Sequence, residues 1–263
     1  MTSYQGGKKK IGKQIYEQLL KVEKYFSDKS LTYIEPFCGM CGVMVHFAKE
    51  NGRKIEAYDS NKDLIEMWKS LQKDNWIPKN ECSEEYYNEL KNSPEPSRER
   101  GFYGVVCSFG AQIFKGKFRT HSTQHNFITS GISGVCKAIL HMKSVQFECS
   151  DYANLKHMSN GNYLIYCDPP YKNNKVSSLL FQNFDHEKFW NIMREWSKNN
   201  IVIISEKIAP DDFVSIWAKE YNVSYRHKEN GNIKKSYQEQ LFIHKDLFEK
   251  ILIKKAPIVK HDD

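Results

Sequence analysis

No apolar run in this chain of 263 residues approaches the roughly 20 that span a bilayer, and no apolar segment leads it, so the expectation is a soluble protein. The seven cysteines are an odd set without an export segment, which argues for reduced thiols inside a cell. Cys38-x-x-Cys41 is the single close pair. Neither a second cysteine pair nor a histidine pair stands at a spacing that would complete a zinc site, so the thiols read as small packing residues and no metal is expected. Internal repeats and low-complexity tracts are also missing. What is left is an aperiodic globular sequence, long enough for one large domain with an insertion or for two small ones. Aromatic residues make up 13 % and the hydrophobic fraction is 40 %, so a packed core is available. A net charge of +7 points weakly towards polyanions, although mild basicity also serves solubility alone.

Hydrophobic periodicity divides the chain. A helix-like stretch runs from Ile11 to Phe26, followed by a buried strand over Thr32–Phe37 that breaks at Gly39 and Gly42. Val43, Val45, Phe47 and Ala48 continue with helical spacing. Lys54–Tyr58 reads as a second strand ending at Asp59, and Leu64, Ile65, Trp68 and Leu71 mark the apolar face of a helix over Lys62–Gln72. Strand, glycine turn, helix, strand and acid in that order form a nucleotide-type α/β unit. From Pro78 the texture changes to a linker at Ser93–Ser97 and a stretch rich in Gly, Ser, Phe and basic residues up to His141. Alternation resumes with strands at 145–149, 163–167 and 201–204, a helix over 185–199 and another near 211–219. Asn230-Gly231 marks a hairpin between Val223–His227 and Tyr237–His244. The tail Lys254–Asp263 looks frayed. The expected fold is thus an α/β sheet interrupted by an inserted module.

The densest chemistry lies at Asp168-Pro169-Pro170-Tyr171, directly after the apolar run Tyr163–Cys167. A strand that stops at two prolines projects a carboxylate, restrained backbone carbonyls and an aromatic face beyond the sheet. Such a set suits a flat amine-bearing ring, although Asp-Pro-Pro alone is a common turn. Glu35-Pro36-Phe37-Cys38-Gly39 lies at a strand-to-helix corner where a ligand can approach the backbone. Asp59 follows 59 − 39 = 20 residues after Gly39, where an acid can accept both hydroxyls of a ribose. A dinucleotide would fit the same pattern, but the chain has no candidate group for handling hydride.

At these residues the chain resembles the Dam-type, class α, DNA adenine-N6 methyltransferases. Tyr4-x-Gly6-Gly7-Lys8 is similar to their amino-terminal motif, which contacts S-adenosylmethionine, and Glu35-Pro36-Phe37-x-Gly39 to the first cofactor motif. Asp59-x-Asn61-x-Asp63-Leu64-Ile65 is similar to the second, whose first acid holds the ribose. Cys149-Ser150-Asp151-Tyr152 resembles the segment whose acid meets the cofactor's adenine. Asp168–Tyr171 resembles the catalytic motif, and Gln238-Glu239-Gln240-Leu241-Phe242 a late strand of the family's sheet. The chain departs from the pattern at Cys41, where the family carries a second glycine, and in the target-recognition segment, which matches poorly.

The resemblance implies a Rossmann-like S-adenosylmethionine-dependent sheet over residues 1–77 and 145–253. It also implies a mainly helical and hairpin target-recognition insert over 78–144, with a flexible tail over 254–263. It implies direct methyl transfer to N6 of a flipped adenine, with Asp168 and the Pro169 carbonyl accepting N6–H bonds and Tyr171 stacking on the base. Lys115, Lys117, Arg119 and His121 fall at alternate positions and would share one face of an extended strand, a ribbon suited to DNA phosphates. Phe109, Phe114 and Phe118 interleave with them, either to wedge into a base step or to form the insert's own small core. The implied partner is double-stranded DNA. A monomer, a functional pairing with a restriction endonuclease, and a place in the cytoplasm or an infected host's interior are compatible with it. RNA adenine or protein glutamine as substrate, or an inactive methyltransferase-like DNA-binding protein, are the competing readings.

Overall fold

The computed structural model describes residues 8, 10–50, 52–123, 125–171, 184–227 and 231–255. In chain order α1 (Gly12–Glu23), β1 (Thr32–Glu35), the short α2 (Met44–Phe47), β2 (Ile55–Asp59) and α3 (Lys62–Lys73) come first. Then follow α4 (Glu84–Asn92), α5 (Arg98–Val106), β3 (His121–Ser122), β4 (His125–Asn126) and α6 (Phe127–Ile139). The remainder is β5 (Gln146–Cys149), β6 (Tyr163–Cys167), α7 (His186–Ser197), β7 (Ile201–Glu206), β8 (Phe213–His227), β9 (Gly231–His244) and α8 (Lys245–Lys255).

Seven strands form one mixed sheet in the order β5-β2-β1-β6-β7-β9-β8. The first five are parallel, and β9 runs antiparallel to both β7 and β8. Strands buried on both faces read as unbroken apolar runs, which is why Tyr163–Cys167 and Ile201–Glu206 become β6 and β7. Their alternate side chains supply two separate cores. Tyr33, Leu164, Tyr166, Ile201 and Ile203 face the layer containing α1 and α3, while Ile34, Ile165, Cys167, Val202 and Ile204 face Phe189, Trp190, Met193 and Trp196 of α7. α3 starts where the Asn61 side chain accepts the Asp63 N–H at 3.0 Å. The chain leaves β1 towards β2 on one side, while β6 lies on its other side. This reversal makes the carboxyl ends of β1 and β6 the switch point of the sheet, the place where open α/β sheets form a ligand crevice.

Among the described residues, the segment between α3 and β5 adds the three α-helices α4, α5 and α6 and the two-stranded β3–β4 hairpin. It packs without a break onto the sheet layer: Phe102, Tyr103, Val105, Val106 and Phe114 belong to the same apolar cluster as Leu64 and Trp68. α5 crosses α3 so closely that a Cβ on Gly101 would lie 2.2 Å from the Asp63 carbonyl oxygen, so no side chain fits there. Asp63 itself ties the two helices, accepting from Arg100 Nε at 3.1 Å and from the Ser97 N–H at 2.9 Å.

Two elements differ from the sequence expectation. Residues 213–219 are the start of β8, after a turn at 211–212, rather than part of a helix. Phe213, Val214 and Trp217 find backbone partners in β9, with Phe213 opposite His244 and a register shift between Ser215 and Trp217. Pairing across the sheet overrides a local pattern that permits either state. The hairpin is accordingly longer than expected, closing at His227 opposite Gly231; Asn230 lies outside the described residues. At the other end α8 extends to Lys255, so Lys254 is helical, and residues 256–263 lie outside the described residues.

Candidate active site

Asp168 follows the last residue of β6, and its side chain is 20 % exposed. Lys8 Nζ donates to Asp168 Oδ1 at 2.7 Å and to the Tyr171 hydroxyl at 2.7 Å. Tyr171 in turn donates to Glu239 Oε1 at 2.5 Å, and Lys8 Nζ lies 3.6 Å from the same oxygen. Lys8 and Glu239 are almost fully buried, at 6 % and 2 % exposure. One ammonium therefore serves two carboxylates in a poorly solvated place. Burial pushes the Asp168 carboxyl up to about 6, Lys8 pulls against that shift, and the Glu239 charge adds to it. Lys8 is set in place by its backbone: its carbonyl accepts from the Ile11 and Gly12 N–H groups at the start of α1. A Cβ on Gly12 would lie 2.2 Å from the Gly42 carbonyl oxygen, and one on Gly42 would lie 3.2 Å from Lys8 N. Two bare glycines thus let the start of α1 meet the turn after β1.

That turn and the end of β2 form the next part of the crevice. Asp59 Oδ2 accepts the Gly39 N–H at 2.9 Å and Oδ1 accepts the Asn61 N–H at 2.8 Å. Burial raises the Asp59 carboxyl above its usual range, opposed by these two backbone donors. Asn61 Nδ2 is buried and has no hydrogen-bond partner among the described residues, a donor beside a buried acid. Trp68 Nε1 holds the Gly39 carbonyl at 2.9 Å. Glu35 is buried and pushed up to about 8, chiefly by burial, while the Tyr33 hydroxyl it accepts at 2.6 Å opposes the shift. Gly39 and Cys41 both have left-handed backbones, with φ of 46° and 55°. Cys41 is fully buried in a conformation that glycine adopts without strain.

Beyond β5, Ser150 N–H bonds the Asp59 carbonyl at 3.1 Å. Asp151 is exposed and caps its own turn, accepting the Ala153 N–H at 2.8 Å. Tyr152 is buried against Phe37, with ring centroids 5.1 Å apart, and burial pushes its hydroxyl up to about 12. Glu35, Phe37, Gly39, Asp59, Asn61, Asp151, Tyr152 and Asp168 therefore gather at the carboxyl ends of β5, β2, β1 and β6, four neighbours in the sheet. Tyr4, Gly6 and Gly7 lie outside the described residues. Pro169 and Pro170 carry the chain from Asp168 to Tyr171.

The basic positions of the insert do not form the expected ribbon. Lys115 sits in a turn, where its N–H and that of Gly116 both reach the Gln112 carbonyl, and Phe114 has φ 55°. A Cβ on Gly116 would lie 2.1 Å from the Phe109 carbonyl oxygen, so the chain must bend there. Extended pairing resumes only at Lys117 and Arg119, whose backbones bond Phe109 and Cys107. Lys115, Lys117 and His121 are exposed. Arg119 is half-buried, its guanidinium 4.0 Å from the Phe127 ring centroid and 5.3 Å from that of Phe109. The three phenylalanines divide as well: Phe114 joins the core, Phe118 packs partly against it, and Phe109 is 63 % exposed.

Residues 4–136 and 131–244 match the family model of the D12 class N6 adenine-specific DNA methyltransferases. The chain belongs to this D12 class. Among curated proteins it is 24 % identical over 282 residues to the type II methyltransferase M.FokI of Planomicrobium okeanokoites, covering 91 % of this chain and 42 % of that protein. The D12 chain thus spans less than half the length of this relative. Solved structures that resemble it are distant. Precorrin-6y C5,15-methyltransferase from Geobacter metallireducens GS-15 has a TM-score of 0.35 at 8 % identity, over 87 % of this chain and 85 % of that one. TehB from Haemophilus influenzae has a TM-score of 0.33 at 10 % identity, over 87 % and 62 %. The family assignment rests on the sequence match.

Membership in the D12 class brings S-adenosylmethionine as the cofactor. The donor set at the carboxyl ends of β1 and β2 suits its hydroxyl- and carboxylate-bearing parts: a buried acid, an orphaned amide donor and a turn with left-handed residues. Glu239 is the functional candidate to which sequence reasoning assigned no role. The available signal was an acid standing between two glutamines and the apolar Leu241-Phe242-Ile243, and it carries no information about its partners.

Proposed function

We propose that this chain methylates N6 of an adenine in double-stranded DNA, with the base turned out of the duplex into the crevice beside Asp168. The observation that carries this reading is the convergence of a partly exposed Asp168 with Lys8, Tyr171 and the Asp59–Asn61 donor set on one end of the sheet. Bound S-adenosylmethionine supplies a methyl group made electrophilic by its sulfonium. Asp59 and Asn61 hold the ribose hydroxyls, and Asp151 takes the cofactor's adenine amino group beside Phe37 and Tyr152. Glu35, Gly39 and Lys8 line the methionine side, together with Tyr4, Gly6 and Gly7 of the amino-terminal motif.

The exocyclic N6 is a weak nucleophile because its lone pair is delocalised into the ring. Asp168 and the Pro169 carbonyl accept one N6–H each, which favours a pyramidal nitrogen with its lone pair directed at the methyl group. Pro170 restrains the loop, and Tyr171 offers its ring to the base. With its carboxyl near 6, Asp168 is ionised at neutral pH and suited to receive the proton that N6 sheds.

Residues 1–77 and 145–253 are the catalytic part in this reading, and 78–144 hold the duplex. Lys115, Lys117 and His121 contact phosphates, with Arg119 set between its two phenylalanine rings. Replacing Lys115 and Lys117 with serine is expected to lower the slope of log affinity against log salt by about 1 to 2, measured by DNA binding across a salt series. An unchanged slope would return both lysines to the solvated surface. The relative's designation as a type II methyltransferase favours pairing with a restriction endonuclease. The chain would work as a monomer in the cytoplasm or in an infected host cell.

The deciding experiment is transfer of labelled methyl from S-adenosylmethionine to unmethylated genomic DNA, with RNA and bulk protein in parallel. Label recovered as N6-methyladenine in DNA is the expected result. Label confined to RNA or protein, or DNA binding without turnover, overturns it.

A further inference from the structure

Glu239 lies on β9, the reversed strand of the sheet, and none of the chemistry above uses it. Its side chain is 2 % exposed, and Leu241 and Ile243, which follow it at alternate positions, are fully buried apolar residues. An apolar side chain would be cheaper to bury at such a place than an acid. Two groups offset the cost: the Tyr171 hydroxyl, donating at 2.5 Å, and the Lys8 ammonium at 3.6 Å. Both also meet the catalytic motif, because Lys8 bonds Asp168 and the Tyr171 oxygen at 2.7 Å each.

We infer that Glu239 is a positioning residue of the transfer reaction: by holding the Tyr171 hydroxyl and sharing Lys8 with Asp168, it fixes the Tyr171 ring and sets the charge state of Asp168. The inference rests on the adenine-methyltransferase reading of this site. The Tyr171 hydroxyl accepts one hydrogen bond and donates another, so the far end of its ring cannot swing away without breaking one of them. Asp168 is faced by Lys8 from the start of α1, Glu239 from β9, Tyr171 from its own loop, Glu35 from the end of β1, and Tyr166 and Cys167 from β6. Glu239 is the acid that pushes the Asp168 carboxyl upward, and Lys8 is the cation that draws it down. Neutralising Glu239 removes the push and keeps the Lys8 charge beside Asp168. The ionisation of Asp168 then moves to lower pH.

The test compares wild type, Glu239→Gln, Glu239→Asp and Tyr171→Phe in the full chain. The readouts are single-turnover methylation of DNA between about pH 5 and 9, S-adenosylmethionine binding and thermal unfolding. In Glu239→Gln the rate should fall about 10- to 100-fold, as for the loss of one preorganising contact. Its acid limb should move down by about one pH unit, the shift ascribed to one nearby charge, with cofactor affinity within about twofold. Glu239→Asp should recover part of the rate and restore the limb. A structural role would scale the rate evenly at every pH. An unshifted limb with an unchanged rate overturns the inference while leaving the methyltransferase reading intact. If Glu239→Gln does not fold, Tyr171→Phe decides: it keeps the ring and loses both bonds, so a wild-type rate there overturns the inference. A wild type that methylates no DNA removes the underlying reading, and the inference falls with it.

Discussion

Asp168→Ala is expected to abolish methyl transfer, with kcat lowered by at least about a thousandfold, while S-adenosylmethionine still binds. The expected size follows from what the side chain supplies. Removing a single preorganised hydrogen-bonding group from a poorly solvated site costs about a hundred- to a thousandfold, and Asp168 is also the acceptor suited to the departing proton. Asp59 and Asn61, the proposed cofactor-binding pair, sit at the end of β2 and the turn after it rather than on the loop after β6, so the affinity for cofactor is expected to stay within a few fold. Asp168→Asn is the matched control, because it keeps the shape and loses the charge. Isothermal titration with cofactor beside a single-turnover assay separates the two effects. Near-normal turnover in either variant sinks the role assigned to Asp168.

Lys8→Met is expected to lower turnover at pH 7 by about a hundredfold or more, with part of the activity returning as pH rises. Methionine keeps most of the aliphatic volume and removes the ammonium that bonds Asp168 and Tyr171. Asp168 and Glu239 then share a buried site without a cation, a like-charge arrangement that favours protonation. The Asp168 carboxyl already stands at about 6, against 3.8 for an unperturbed group, and loses the influence that holds it down. Its acid limb therefore rises, and a larger share of the acceptor is protonated at neutral pH. The sign for stability follows from the same shift. Because folding raises this pKa, the native state binds the proton more tightly than the unfolded chain. The contribution to stability is full below about 4 and is lost as pH rises through about 6. In Lys8→Met this window extends upward, so denaturant midpoints at about pH 5 and 8 should diverge more than in wild type. Equal divergence, with turnover unchanged, would class Lys8 with the solvated Lys8-Lys9-Lys10 run that the sequence alone leaves open. Its 6 % exposure argues against that outcome.

Much of the site was legible before any coordinates because its signals are local. Tyr163–Cys167 and Ile201–Ile204 are strands buried on both faces, and continuous apolar runs are what such strands require. Asn61 caps α3 with its own side chain, so the start of that helix is recorded within three residues. Gly39 and Asp59, 20 residues apart in sequence, meet at neighbouring strand ends, where the Gly39 N–H bonds Asp59 Oδ2 at 2.9 Å. The failures are equally physical. Residues 211–219 carry aromatic and β-branched side chains that tolerate helix or strand, and β9, more than a dozen residues on, settles the choice. Alternation at Lys115, Lys117, Arg119 and His121 implied a flat ribbon. The close approach of Gly116 to the Phe109 carbonyl bends the chain, and two phenylalanine rings draw Arg119 inward.

By itself the sequence determined the α/β class, most of the strand segments and the residue types at each strand end, because burial pattern, caps and turns are properties of neighbouring residues. Only the tertiary structure decided who meets whom. Lys8 reaches Asp168 across 160 residues and Tyr171 reaches Glu239 across 68. Those meetings depend on α1 docking against the Gly42 turn and on β9 running back beside β7. No local pattern encodes a strand's neighbour or direction in the sheet, and here that order places the second carboxylate beside the catalytic motif.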